Sequence, residues 1–301
     1  MLIREFAPAD AGATAACYRA GRAHILLTPQ VALRSWARAR PGQHYRVLLA
    51  ESDGVVVGVA RCQVNDGTST PGQGMIGLAV LPEHRGRGAG TALAAAAERA
   101  LRAVGATHLH AWADGDAVSV GFAERRGYRA GRTGRFARLD LTGPLPPLPP
   151  VPPGVELRTA ADYLDDPRPV YRLDRAAGLD EPGELPTDDL GYSDWFESVW
   201  QLPDQRHELT VVAVADGRPV AFSAVRAAGT RYWSAFTGTL PEYRGRGLAK
   251  LVKAASLHRA RAAGLTEAFT DNDSTNAAVL AVNAWCGYEL WATERKMIKE
   301  L

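Results

Sequence analysis

The feature that most narrows what this chain can fold into is an internal repeat. Pro82-Glu-His-Arg-Gly-Arg-Gly88 returns as Pro241-Glu-Tyr-Arg-Gly-Arg-Gly247, 159 residues further on. The same offset relates Gly105 to Gly264, and Gly127-Tyr128 returns as Gly287-Tyr288 with one residue of slippage. Upstream, Asp53-Gly54 answers Asp216-Gly217, and Leu2-Ile-Arg4 resembles Glu156-Leu-Arg158. Self-similarity spread over this span means two copies of one supersecondary plan. A length of 301 residues suits two domains of about 150 residues each. Between the copies, Gly143-Pro-Leu-Pro-Pro-Leu-Pro-Pro-Val-Pro-Pro-Gly154 carries seven prolines and no charge, the composition of an extended polyproline spacer. The expected organisation is therefore a domain over 1–143, a linker over 144–153 and a second domain over 154–301.

Each copy reads as a hairpin followed by strand, glycine loop and helix. In the first, strands Arg46–Glu51 and Val55–Cys62 flank the Asp-Gly turn, Met75–Leu81 follows, and a helix over Thr91–Val104 is closed by Gly105. In the second, Leu209–Ala215 pairs with Pro219–Arg226, followed by strand Trp233–Leu240 and a helix over Leu248–Ala263 closed by Gly264. Strand–helix alternation after antiparallel hairpins predicts an α/β class, each domain a mixed, mostly antiparallel twisted sheet flanked by helices.

Composition removes several classes of function. Hydrophobic residues at 46% and charged ones at 23% are those of a globular chain able to bury a core. Three cysteines, Cys17, Cys62 and Cys286, stand far apart in no paired spacing, which implies neither a disulfide framework nor a zinc site and fits a reducing cytoplasm. His24, His44, His108 and His110 show no ligand spacing, so no metal is expected. The start of the chain carries Arg4, Glu5 and Asp10, and no apolar run approaches the ~20 residues of a membrane span, so no membrane partner is expected. Residues 1–143 hold 18 arginines and 11 acids, about +7; residues 154–301 hold 17 basic and 22 acidic residues, about −5. No basic stripe interleaved with aromatics accompanies this asymmetry, which argues against a nucleic-acid partner.

The glycine loops carry the chemistry. A strand, then Arg85-Gly86-Arg87-Gly88-Ala89-Gly90, then a helix opening at Thr91 is a phosphate cradle. Glycines let the backbone approach closely, the unpaired amides of the first helical turn converge, and the helix dipole favours an anion there. Arg244-Gly245-Arg246-Gly247-Leu248-Ala249, leading into Lys250, repeats the arrangement. The Gly-x-x-x-x-Gly-Lys-[Ser/Thr] pattern of nucleotide triphosphatases is absent.

Both loops match the [Gln/Arg]-x-x-Gly-x-[Gly/Ala] signature of the GNAT acetyltransferase superfamily, and the chain resembles a tandem member of it. The closing segments, Asp116 to Tyr128 and Asn276 to Tyr288, resemble the family's Asn-x-x-Ala-…-Gly-[Phe/Tyr] ending. The resemblance implies acetyl-CoA as cosubstrate, lying between two splayed central strands, with direct transfer of its acetyl group to a primary amine. Its pyrophosphate is expected on the amides of Arg85–Thr91 or Arg244–Lys250. Backbone groups of Leu78 and Val80, or of Thr237 and Thr239, are expected along the pantetheine arm, with Asn276 touching it in the second copy, where Asp116 stands in the first. The family's tyrosine acid is replaced by Ala123 in the first copy and Asn283 in the second, so Thr237, Thr239 and Asn283 become the candidate reacting groups of the second. His207, Glu208, Asp271 and Tyr232 are further candidates for proton transfer.

The region expected to form the acceptor wall of the second copy holds Asp162, Asp165, Asp166, Asp174, Asp180, Glu181, Glu184, Asp188, Asp189, Asp194 and Glu197 against three arginines. Such a surface attracts a cationic small-molecule amine, and Tyr192, Trp195, Phe196 and Trp200 could line a pocket there or form helix core. Asn276, the polar strand Trp233–Thr239 and this acidic region make the second copy the expected catalytic one. A CoA-binding sensor or scaffold is the alternative that the two missing tyrosines leave open. With two copies in one chain, a monomeric pseudo-dimer is the preferred assembly.

Overall fold

The computed structural model describes residues 1–178 and 191–301, and the packing resolves into two compact units. Among the described residues, the first unit is 1–133 with 293–301, and the second is 134–178 with 191–292. The proline-rich stretch divides the sequence repeat, but it does not divide the packing. Each unit takes its last sheet strand from the other half of the sequence.

In the first unit, β1 (Leu2–Glu5) is followed by α1 (Ala11–Gly21) and α2 (Pro29–Ala37), then β2 (Arg46–Ser52), β3 (Val55–Val64) and β4 (Gln73–Val80). α3 (Ala89–Ala103), β5 (His108–Asp114) and α4 (Ala117–Glu124) follow, and β6 (Arg129–Asp140) starts here and ends in the second unit. β1 through β4 are antiparallel neighbours, β5 joins β4 in parallel, and residues 294–300 close the sheet antiparallel to β5. Because successive strand residues point to opposite faces, β2 splits its side chains between two cores. Leu48 and Ala50 meet Leu93, Ala97 and Leu101 of α3, with Met297 of the closing strand in the same cluster. Val47 and Leu49 pack with Tyr18, Leu27 and Val31 under α1 and α2.

The second unit repeats the plan with β7 (Val155–Thr159), α5 (Arg168–Gly178), α6 (Tyr192–Trp195), β8 (Val211–Ala215), β9 (Arg218–Ala228) and β10 (Arg231–Thr239). α7 (Leu248–Ala262), β11 (Glu267–Asp273), α8 (Ala277–Trp285) and β12 (Glu289–Glu300) complete the chain. β10 and β11 are its parallel pair, and residues 134–140 of β6 lie antiparallel to β11 from Gly134↔Asp273 to Asp140↔Glu267. Mixed sheets with helices on both faces are the class that the sequence pattern predicts.

Local chemistry explains the punctuation. Asp53-Gly54 and Asp216-Gly217 all have positive φ, between 51° and 77°, the two-residue turn whose twist matches a hairpin. Gly105 and Gly264 close α3 and α7 at φ 87° and 83°. No helix among the described residues is long and apolar enough to cross a membrane.

Candidate active site

In both units the parallel pair comes apart at the same place. β4 and β5 are paired from Gln73↔His108 to Ile76↔Ala111 and no further, so Gly77–Val80 has an open edge on that side. β10 and β11 are paired from Arg231↔Glu267 to Ser234↔Thr270, and an irregularity between Ser234 and Phe236 turns the rest of β10 away. Each gap opens a cavity, about 420 Å³ in the first unit and about 650 Å³ in the second. A strand edge freed inside a domain offers backbone N–H and C=O groups to an extended polar chain.

The glycine loop forms one end of each cavity. Gly86 and Gly88 have φ of 74° and 90°, and Gly245 and Gly247 have φ of 75° and 77°, values at which a Cβ is strained. Gly88 and Gly247 are the N-caps of α3 and α7, and neither provides a capping side chain, so the first-turn amides stay available for an anion. The first arginine of each loop is turned back onto its own strand. Arg85 donates to Gly21 O at 2.9 Å and Val80 O at 3.4 Å, and Arg244 donates to Thr239 O at 3.2 Å. Arg246 donates to Glu242 O at 3.0 Å and lies over the Tyr243 ring. These guanidiniums brace the loops.

Along the second cavity, Thr239 Oγ1 is buried with no hydrogen-bond partner among the described residues, whereas Thr237 Oγ1 lies 3.2 Å from Ser223 Oγ. Asn276 borders the cavity as N-cap of α8, its Oδ1 accepting from Val279 N at 3.3 Å, which leaves its two N–H donors uncommitted by capping. A polar chain runs from the cavity wall through buried Asn283 and back to it: Lys253 Nζ donates to Asn283 Oδ1 at 2.5 Å, and Asn283 Nδ2 donates to Asn272 Oδ1 at 2.6 Å. Lys253 is 1% exposed yet borders the cavity, and burial pulls its pKa down to about 8.

Two family models fall on this geometry, one per copy. The model described as "Acetyltransferase (GNAT) family" matches residues 15–128, and that described as "Acetyltransferase (GNAT) domain" matches residues 157–269. Together they span more than half of the chain. The chain is a tandem member of the GNAT acetyltransferase family. A mycothiol acetyltransferase of Nocardia farcinica is 31% identical over 253 residues, covering 80% of this chain and 77% of the relative. One of Stackebrandtia nassauensis is 26% identical over 279 residues, covering 88% and 85%. Among solved structures, a tandem GNAT protein from the clavulanic acid biosynthesis pathway superposes with TM-score 0.79 at 24% identity, covering 99% of this chain and 98% of that one. A GCN5-related N-acetyltransferase from Sphaerobacter thermophilus gives 0.73 at 23% identity, covering 99% and 95%.

GNAT enzymes use acetyl-CoA as cosubstrate, and the residues present fit it: an open strand edge, an orphaned hydroxyl at Thr239 and a loop of free amides. Of the residues expected to hold it, the second cavity gathers Thr237, Thr239, Arg244, Gly245, Gly247, Leu248, Ala249, Lys250 and Asn276, with Arg246 set aside. The first GNAT cavity gathers Leu78, Val80, Arg85, Gly86, Gly88, Gly90 and Thr91, without Arg87 and with Ala89 turned into the core. Asp116, which stands where the second copy has Asn276, spends its carboxylate on Val118 N, Ser119 N and Ser119 Oγ and does not border the cavity. Of the proton-transfer candidates, Asp271 borders the second cavity. Tyr232 is buried against Ser256, Glu208 pairs with Arg206, and His207 packs on Trp200. Asn283 lies behind the wall and holds Lys253, which sequence reasoning passed over. Only its burial marks it out: Lys253 lies within Leu251–Leu257 of α7, all of which are buried.

Tyr192, Trp195, Phe196 and Trp200 pack on one another and on Tyr171, as helix core, and none is among the described residues bordering the cavity. Asp162 caps a turn at Thr159 N, and Asp174 accepts from Trp195 Nε1 at 2.6 Å. Asp180, Glu181, Glu184, Asp188 and Asp189 lie outside the described residues. The first copy carries a buried polar group that sequence spacing did not reveal. His24, Asp114 and Glu294 bring ligand-capable atoms within 4.8 Å of one another. The Arg22 guanidinium bonds Glu294 and approaches Asp114 Oδ1 at 3.5 Å, so a positive charge already sits in the group. Burial raises the Asp114 carboxyl and lowers His24 to about 4.

Proposed function

We propose that the C-terminal copy transfers the acetyl group of acetyl-CoA to the primary amine of a small, cationic acceptor. The observation that carries this reading is the wall of the larger cavity, where the unpartnered Thr239 hydroxyl and the Asn276 amide border the open edge of β10. A hydroxyl and amide N–H groups placed there can polarise a thioester carbonyl and align an amide-bearing arm. Among the described residues bordering that cavity the carboxylate is Asp271, a negative charge of the kind that draws a cationic amine. In the first copy the matching position is Asp116, an acceptor consumed by capping. The acceptor class named for the two sequence relatives, mycothiol-type, heads the amine panel worth testing.

The test is release of CoA thiol by the full chain with acetyl-CoA and that panel, extended to polyamines and aminosugars. Gly247→Glu places a carboxylate on the anion cradle at a strained φ of 77°, and the expected result is loss of turnover in this variant with turnover retained in Gly88→Glu. Loss only in Gly88→Glu would overturn the assignment and move the chemistry to the first cavity, where Asp114 stands on the wall.

A further inference from the structure

We propose that Lys253 is the proton donor to the departing CoA thiolate in the C-terminal copy, an inference that rests on that copy being the catalytic one. Acetyl transfer from a thioester to an amine breaks the C–S bond, and the electron pair leaves on sulfur. A group at the cavity must supply a proton there. Among the described residues bordering the cavity, Arg244 is turned back onto the Thr239 carbonyl. Lys250 lies over the Trp285 ring on the first turn of α7, and Tyr243 precedes the glycine loop beneath Arg246. Lys253 is the remaining cationic donor, one turn deeper along α7.

Its surroundings are built to hold an ammonium group and aim it. An ammonium has three N–H donors. One goes to Asn283 Oδ1 at 2.5 Å, and no other hydrogen-bond acceptor takes a second among the described residues. The Asn283 amide is itself fixed by its donation to Asn272 Oδ1 of β11, so the lysine has little freedom to swing. The Tyr288 ring lies 5.0 Å from Nζ and stabilises the charge from a third side. The titratable groups facing Nζ are Asp271 on β11 and Cys286 and Tyr288 after α8. Burial pushes the Cys286 thiol up to about 11 and the Tyr288 phenol well above its ordinary range, so both stay neutral, and among the described residues facing Nζ the carboxylate is Asp271.

A donor-only lysine with two spare N–H groups, buried at a cavity wall, is costly as packing and suited to a developing anion. The step balances within the reaction. As the carbonyl re-forms and the C–S bond breaks, the Nζ proton passes to sulfur, giving CoA thiol, and the N–H electron pair stays on a neutral Lys253. The proton lost by the attacking amine reaches solvent, and Lys253 takes one back for the next turnover. Burial holds its pKa near about 8, so it is charged at neutral pH and still able to release the proton.

The experiment needs no acceptor. Free CoA, whose thiolate absorbs in the near ultraviolet, is titrated with base on the full chain carrying Gly88→Glu, so that the second copy alone holds it. The bound thiol is expected to ionise below the pH of free CoA by about one to three units, as a thiolate beside a buried ammonium does. The shift is expected to vanish in Lys253→Met and Lys253→Gln, with CoA still bound at one equivalent by calorimetry. A bound thiol that ionises with free CoA in the Gly88→Glu chain, or the same shift with and without Lys253, overturns the proposal. Failure of the Gly88→Glu chain to bind CoA would instead overturn the assignment of the second copy, and this inference with it. Once an acceptor is found, kcat should fall as pH rises through about 8 in the wild type, and that limb should be absent from Lys253→Met.

Discussion

An ammonium taken out of water weakens a fold by as much as its pKa is pulled down. Lys253 falls from 10.5 to about 8 through burial, a difference on the order of 3 kcal/mol at about 1.4 kcal/mol per unit. The sign follows from proton counting. Between pH 8 and 10.5 the unfolded chain holds the lysine proton and the folded one has lost it, so stability conferred at this site rises with pH across that window and is absent below it. The unfolding free energy of wild type relative to Lys253→Met, compared at pH 7.5, 9 and 10.5, should therefore rise with pH. Taking the difference removes the phenols and thiols that titrate in the same range. A flat difference would mean that the lysine is as well solvated as on the surface. At this scale the sequence reveals residue types more readily than their orientation. Gly86, Gly88, Gly245 and Gly247 were readable because a positive φ admits few residues. Arg85 and Arg244 were not, because nothing in their spacing says that they turn back to the strand carbonyls. Lys253 was overlooked because α7 is buried on most sides and gives no polar face against which a lysine stands out.

At the scale of elements, the two copies differ most in how α4 and α8 begin. Asp116 and Asn276 both cap their helices, but a carboxylate only accepts and an amide also donates. Two substitutions separate the roles. Asn276→Asp should keep the cap, leaving the melting temperature near wild type, and weaken acetyl-CoA binding several-fold in the calorimeter. Asn276→Ala should also lose about 1 kcal/mol of stability, the usual cost of a lost cap. If both variants bind acetyl-CoA as wild type does, the amide has no part in holding the cosubstrate. Hairpins, turns and helix ends were legible because each rests on a local rule at a few residues. The splay of β10 from β11 was expected only through the family resemblance, because it depends on where pairing stops and not on what any residue prefers. The aromatic run Tyr192–Trp200 could be read as pocket or core, and packing between α5 and α6 decides for core.

At the scale of the whole molecule, the repeat predicted two α/β units and the structure has two, but the segment that closes each sheet was illegible. β6 and β12 are both 12 residues long, and neither carries a signal that it serves two units along its length. A strand's alternation fixes its faces and leaves its neighbour open. The consequence is testable with a fragment. Residues 1–143 made alone lack the strand at 294–300 that pairs with β5 and the Met297 side chain at the centre of the first core. That piece should expose the β5 edge and aggregate or remain partly folded, as cooperative melting and gel filtration would reveal; a monomeric fragment with a sharp transition would show the strand to be dispensable.

The exchanged strands also bear on the peptide link between the copies. Each half of the polypeptide already supplies a component that the other half's sheet requires, and the connection at 144–153 is itself anchored, with Leu145 packed on the second core and His258 Nε2 2.8 Å from Pro146 O. Two genes, each encoding one half, would each make a product whose sheet is completed by a strand that the other gene encodes.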